Sequence, residues 1–242
     1  ANVLTTGNLL SRAQQTWAHR DDSPAFIFIS NMAAHGPAGL DKPAVESHRP
    51  SPITAYGRSK LAAEEAVLQD NWNFRRAILR PPSLYGPRDP EFLPLFKAAK
   101  KGITARLGRS MTGLSLVHGH DAATAAVALL TCRQANGPYF VDDGNVGYDW
   151  DELAAVLKAV SGQKIRTLQV PLVLLKIAAT LLGRNRSASS PVLNPDRIRD
   201  LESVGWVCDG ALLRKVTGWS AAFDAGTGFT DTMKFFKEQD WL

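Results

Sequence analysis

Tyr56 and Lys60 stand four positions apart in Tyr56-Gly57-Arg58-Ser59-Lys60, at the start of the stretch TAYGRSKLAAEEAVLQD. On a helix this spacing stacks both side chains on one face, so a phenol and an ammonium share one small volume. A neighbouring cation favours the phenolate and lowers the phenol pKa. Such a tyrosine can exchange protons with a substrate hydroxyl near neutral pH, which an ordinary tyrosine with a pKa of about 10 does poorly. The same spacing occurs on inert helix surfaces, so its meaning depends on the segments around it. Other constellations offer less chemistry. Asp142-Asp143 reads as a turn and Glu64-Glu65 as a solvated helix face, neither as a paired-carboxylate site. Ser11, Ser30 and Ser59 lie in no G-x-S-x-G elbow, which leaves a hydrolase with little support.

The elements needed to hold Tyr56 in place are legible on either side. Ala25 to Ser30 (AFIFIS) is a continuous apolar run that fits a strand buried on both faces of a parallel sheet. It ends in Asn31-Met32-Ala33-Ala34-His35-Gly36-Pro37, a small-residue loop at the carboxyl edge, where open α/β sheets bind ligands. Arg76 to Leu79 is a second short strand, and Arg80 to Asp89 (RPPSLYGPRD) a rigid loop whose prolines cannot continue a central ladder. The pattern also predicts helices over 2–18, 91–101, 122–132, 150–161, 171–182, 195–202, 210–216 and 226–238, and strands over 114–118, 138–142 and 165–170. Asp121 is the expected N-cap of the alanine-rich helix. Strands and helices alternate in the first half and helices dominate the second, which is an α/β organisation.

Composition limits the alternatives. The chain has 242 residues and 45% apolar side chains, enough for one domain with a smaller lobe. The net charge is +5 from 28 basic and 23 acidic residues, and the basic ones are dispersed, so no nucleic-acid partner is expected. Cys132 and Cys208 lack any C-x-x-C or metal spacing, which suggests free thiols in a reducing, cytoplasmic setting. The longest apolar stretch, Val170 to Leu182, is too short to span a bilayer and contains Lys176, so no transmembrane segment is expected.

FIFISNMAAHGP, SPITAYGRSKLAAEEAV and ILRPPSLYGPRD, in this order and at these intervals, resemble the extended short-chain dehydrogenase/reductases, the NAD-dependent epimerase/dehydratases. NVLTTGNLL, DWDELAAVLKAVSG and DGALLRKVTGWSAAFDAGTGFTDTMKFFKE extend the resemblance over nearly the whole chain. It implies the carboxyl-terminal part of a Rossmann-type parallel sheet in residues 1–90, with the strand and helix of 114–133 returning to it, and a smaller, mainly helical substrate lobe in 91–242. It also implies NAD or NADP as cofactor, a small hydroxylated or sugar-like substrate, and a homodimer built on the Asn2 and Tyr56 helices. The implied reaction is hydride transfer at a secondary alcohol or sugar carbon, with Tyr56 as acid/base. Tyr56, Lys60 and Asn31 fall on catalytic positions. Asn2, Ser30, Tyr56, Lys60, Pro81 and Pro82 fall on the cofactor side, and Met32, Ser83 and Arg88 on loops that face substrate. No metal is expected, because the resemblance already accounts for His118-Gly119-His120-Asp121 at a strand-to-helix junction.

Departures from the pattern carry information. The 242 residues contain no Gly-x-x-Gly-x-x-Gly turn, the pyrophosphate cradle of such folds. The expectation is that the first half of the dinucleotide domain lies upstream and that the fragment itself is inactive. Asn31 stands where the resemblance calls for Ser or Thr, and Ser30 is one residue too early, on the opposite face of an extended segment. An amide can donate and accept but cannot shuttle a proton as a hydroxyl does. This opens an alternative reading, a catalytically impaired dinucleotide-binding or structural module. His35 replaces a tyrosine of the family's turn. Leu114 stands where nucleotide-sugar enzymes carry an arginine suited to a diphosphate, which leaves room for a smaller or more apolar alcohol, steroid-like ones included.

Overall fold

The computed structural model describes residues 2–17, 20, 24–107, 111–170, 173 and 195–242. The first half alternates α1 (Asn2–Trp17), β1 (Phe26–Ile29), a 3-10 turn (Met32–Ala34), α2 (Ala55–Val67), β2 (Arg76–Arg80) and β3 (Ser83–Tyr85). Then come α3 (Leu93–Lys100), β4 (Ile103–Leu107), β5 (Leu116–His118), α4 (Gly119–Thr131), β6 (Gly137–Phe140), α5 (Trp150–Ser161) and β7 (Arg166–Val170). Three further helices follow: α6 (Pro195–Glu202), α7 (Ala211–Thr217) and α8 (Ala225–Glu238). The expected helix over 171–182 lies outside the described residues. Among the described residues no helix is long and apolar enough to cross a membrane.

All three ladders are parallel, in keeping with an α/β fold. The main sheet has the order β1-β2-β6, with Phe28 opposite Ile78 and Leu79 opposite Tyr139. β3 pairs with β5, and β4 with β7. Helices α1 and α2 pack together on one face of the main sheet, where Leu10, Ala13, Val67, Phe74 and Ile78 form a cluster. On its other face Ala77, Leu79, Val117, Leu129, Tyr139 and Leu213 form a second cluster joining α4 and α7. The largest cluster gathers Tyr85, Phe96, Leu116, Leu157, Phe229 and Phe236 between α3, α5 and α8.

Several sequence expectations need correcting. β1 is an edge strand of the described sheet, and instead of being buried on both faces its residues are only partly covered, Ile29 being 46% exposed. Ser83 to Tyr85, expected as loop, forms β3. Pro81 and Pro82 cut the β2 ladder, and beyond them the chain takes a new partner in β5. β5 pairs outside the main sheet, although Val117 and α4 return to pack against β1 and β2, and Gly137–Phe140 joins that sheet as β6. The sequence pattern does not predict β4, because Ile103 to Leu107 lacks a continuous apolar run. Asp121 does not cap α4. The Nδ1 atom of His118 accepts from the His120 amide at 3.4 Å, and the Asp121 carboxylate accepts from the amides of Ala222 and Phe223. Glu64 is no solvated surface group either, since it is fully buried against Arg80.

Candidate active site

Tyr56 enters the site on the first turn of α2. Thr54 caps that turn, its hydroxyl accepting from the Gly57 amide at 3.1 Å. Gly57 has a steric reason to be there. A Cβ at this position would run into the backbone carbonyl of Ala33, so only glycine lets the helix start lie against the 3-10 turn. That contact seats the start of α2, where Tyr56 stays 48% exposed.

One turn on, the Nζ of Lys60 lies 6.0 Å from the centroid of the Tyr56 ring and 5.1 Å from that of Phe28. It donates to the Ile29 carbonyl at 3.1 Å, which ties α2 to the carboxyl end of β1. Burial lowers the Lys60 pKa, and the carboxylate of Glu64 opposes that shift. The spacing argument from sequence therefore places phenol and ammonium on one face, as expected of positions 56 and 60 in a helix.

Asn31 is extended, with φ −162°, and its Oδ1 accepts from the Ala33 amide at 2.8 Å. It thus caps the 3-10 turn with its oxygen. Ser30 points the other way, as neighbours on an extended chain must. Its hydroxyl donates to Glu64, which also holds Arg80 through Nη2 at 2.6 Å and Nε at 3.1 Å. Asn2 donates from Nδ2 to the Ser59 hydroxyl at 3.0 Å, and Ser59 in turn donates to the Tyr56 carbonyl.

A cleft of about 1930 Å³ opens in front of Tyr56. Asn31, Met32, Tyr56, Pro81, Pro82, Ser83 and Arg88 all line it. Ser30, Lys60 and Asn2 do not line it. Arg88 adopts a left-handed conformation with φ 70°, uncommon for a residue with a side chain. Met111, Trp150 and Trp206 also line the wall, come from separate parts of the chain and carry no local spacing that marks them, while His118, noted in the sequence only for its strand-to-helix junction, lines it too. His118 is buried, its Nε2 lies 3.4 Å from Asp231, and burial lowers its pKa. Trp206 packs against Met32 and Phe140 of the sheet region and donates from Nε1 to the Asp200 carbonyl of α6.

A family model described as the NAD dependent epimerase/dehydratase family matches residues 1–142. The chain belongs to this family. A ceramide reductase of Caulobacter vibrioides is 26% identical over 227 residues, which are 93% of this chain and 66% of that protein. The chain thus spans just under two thirds of that relative. A decarboxylating sterol-4-alpha-carboxylate 3-dehydrogenase of Candida albicans is 24% identical over 260 residues, covering 98% of this chain and 71% of the relative. Among solved structures, the UDP-glucuronic acid 4-epimerase of Bacillus cereus, in complex with UDP-glucuronic acid and NAD, superposes with a TM-score of 0.70 at 19% identity. That match covers 98% of this chain and 68% of the epimerase and supports a Rossmann-type fold.

Proposed function

We propose that the protein is an NAD(P)-dependent oxidoreductase acting on a secondary alcohol or the corresponding ketone, with Tyr56 as proton donor and acceptor. The observation that carries this reading is a Tyr56 phenol that lines the cleft with the Lys60 ammonium 6.0 Å from its ring centroid, held at the carboxyl end of β1. The exposed side chain of Ile29 offers an apolar ledge beside that cation and phenol, a set suited to the ribose and flat ring of a dinucleotide. Lys60, Tyr56 and the backbone near Pro81 and Pro82 would hold that end of NAD(P), which when bound supplies the hydride acceptor or donor. Tyr56 takes the hydroxyl proton as the alcohol carbon becomes a carbonyl, and returns it in the opposite direction. Lys60 stabilises the phenolate, and the Asn31 amide orients the substrate oxygen. The relatives named as a reductase and a dehydrogenase favour net redox over epimerisation.

Tyr56→Phe is the direct test. Removing a positioned acid/base costs about 10²–10⁴ in turnover. The variant should keep its thermal stability and cofactor binding, because the phenol end is half exposed. Unchanged kcat would sink the assignment.

The binding-module reading rests on Asn31, whose Oδ1 is engaged with the Ala33 amide and whose type cannot relay a proton. We also infer a homodimer through α1 and α2, since Leu4 is 75% and Leu9 57% exposed on α1. Leu4→Glu should shift the elution volume toward the monomer without lowering the melting temperature.

A further inference from the structure

The wall of the cleft facing Tyr56 has a chemistry of its own. Leu114 projects only an isobutyl group, because its amide and carbonyl are both bonded to Tyr148 at 2.9 Å. Both indoles of the wall are likewise satisfied inside the protein. Trp150 Nε1 donates to the Met111 carbonyl and Trp206 Nε1 to the Asp200 carbonyl, each at 3.1 Å. The rings therefore offer apolar faces and no donor. Leu84 adds a 42% exposed side chain.

Charge points the same way. Among the described residues that line the cleft, Arg88 is the one permanent cation, while Asp89, Glu91 and Asp200 are carboxylates. A diphosphate brought here would meet more negative than positive charge among the described lining residues, and of these Arg88 alone offers a guanidinium fork to pair it. Behind Leu114 and Trp150 lies a separate void of about 60 Å³, bordered also by Phe92, Leu153 and Phe229. An apolar group pressed against the wall has room to displace side chains into it.

We infer that the substrate is an amphiphilic lipid ketone or alcohol, with its oxygen at Tyr56 and its hydrocarbon body against the Leu114, Trp150 and Trp206 wall, and not a nucleotide-linked sugar. This rests on the oxidoreductase reading for the reacting oxygen, but its recognition surface is independent of turnover. Burying a hydrocarbon skeleton against this wall supplies the binding energy, at roughly 25 cal/mol per Å² of apolar surface.

Binding separates the two readings. Progesterone, as a ketosteroid probe, and UDP-glucose are titrated into the full-length Tyr56→Phe protein, followed by tryptophan fluorescence and equilibrium dialysis. Saturable progesterone binding in about the micromolar range, with none for UDP-glucose up to about 1 mM, is the expected result. Leu114→Arg should weaken the steroid about tenfold or more, and Leu84→Glu, at an exposed position that tolerates a charge, should do the same if the first variant folds poorly. UDP-glucose binding more tightly than the steroid, or no saturable steroid binding, overturns the inference. Steroid binding to a wild-type protein that turns over no alcohol or ketone would leave the inference standing and remove the oxidoreductase reading.

Discussion

Asn31 decides more at the residue scale than its single position suggests. Its Oδ1 holds the amide of Ala33 at 2.8 Å, so any replacement must first preserve the 3-10 turn that carries Met32 into the cleft. Serine is as good a cap as asparagine, whereas alanine loses about 1 kcal/mol. Asn31→Ser should therefore leave the melting temperature within a degree or two, while Asn31→Ala lowers it. If turnover runs through Tyr56, a hydroxyl at position 31 adds a proton-relaying group, and kcat for a secondary alcohol should rise. Absorbance of the reduced nicotinamide reads this directly. No gain with any alcohol, together with tight dinucleotide binding, would favour the binding-module reading. The sequence exposed this residue as a departure from the family resemblance, but which of its amide atoms is engaged needed coordinates.

At the scale of elements, α2 is held to β2 by a buried charge cluster. Glu64 and Arg80 are both almost wholly inaccessible, and the contact is bidentate. Arg80 ends β2 just before Pro81 and Pro82 enter the cleft wall, so the pair sets where Tyr56 stands relative to that wall. Glu64→Gln leaves a buried guanidinium without its counter-charge and should destabilise by about 3 kcal/mol in urea unfolding. Replacing both residues, by Glu64→Leu with Arg80→Met, should cost much less, because no uncompensated charge remains. The same Glu64→Gln removes the field that holds the Lys60 pKa up against burial, so that pKa falls further. Periodicity and apolar runs made the helices and β1 and β2 legible. They failed for Glu64, which looks like a surface residue until its partner sixteen residues later is folded against it. They failed also for β4, whose ITARL owes its pairing to β7 more than sixty residues on.

Across the whole molecule, the loop after β6 ties the sheet to the helical layer through two adjacent carboxylates that the sequence suggested were an ordinary turn. Asp142 pairs with Arg214 of α7 and accepts from the Gly210 amide at 2.7 Å. Asp143 accepts from the Tyr148 hydroxyl at 2.7 Å, and that hydroxyl accepts from the Ala225 amide at the start of α8. Burial raises the Asp143 pKa from 3.8 to about 6, against the lowering effect of the Tyr148 bond. A carboxyl whose pKa is higher folded than unfolded binds its proton more tightly in the native state. Its contribution to stability is then complete below about pH 4 and is lost as pH rises through about 6. For wild type this loss is at most about 3 kcal/mol, read as a melting temperature that declines across this range relative to Asp143→Asn. Asp143→Asn keeps an acceptor for Tyr148 and removes the titration, so its profile should be flatter. Tyr148→Phe removes the bond that holds the Asp143 pKa down, and should move the wild-type decline to higher pH. If both variants displaced the profile in the same direction, Asp143 would not be the group that titrates between the two layers.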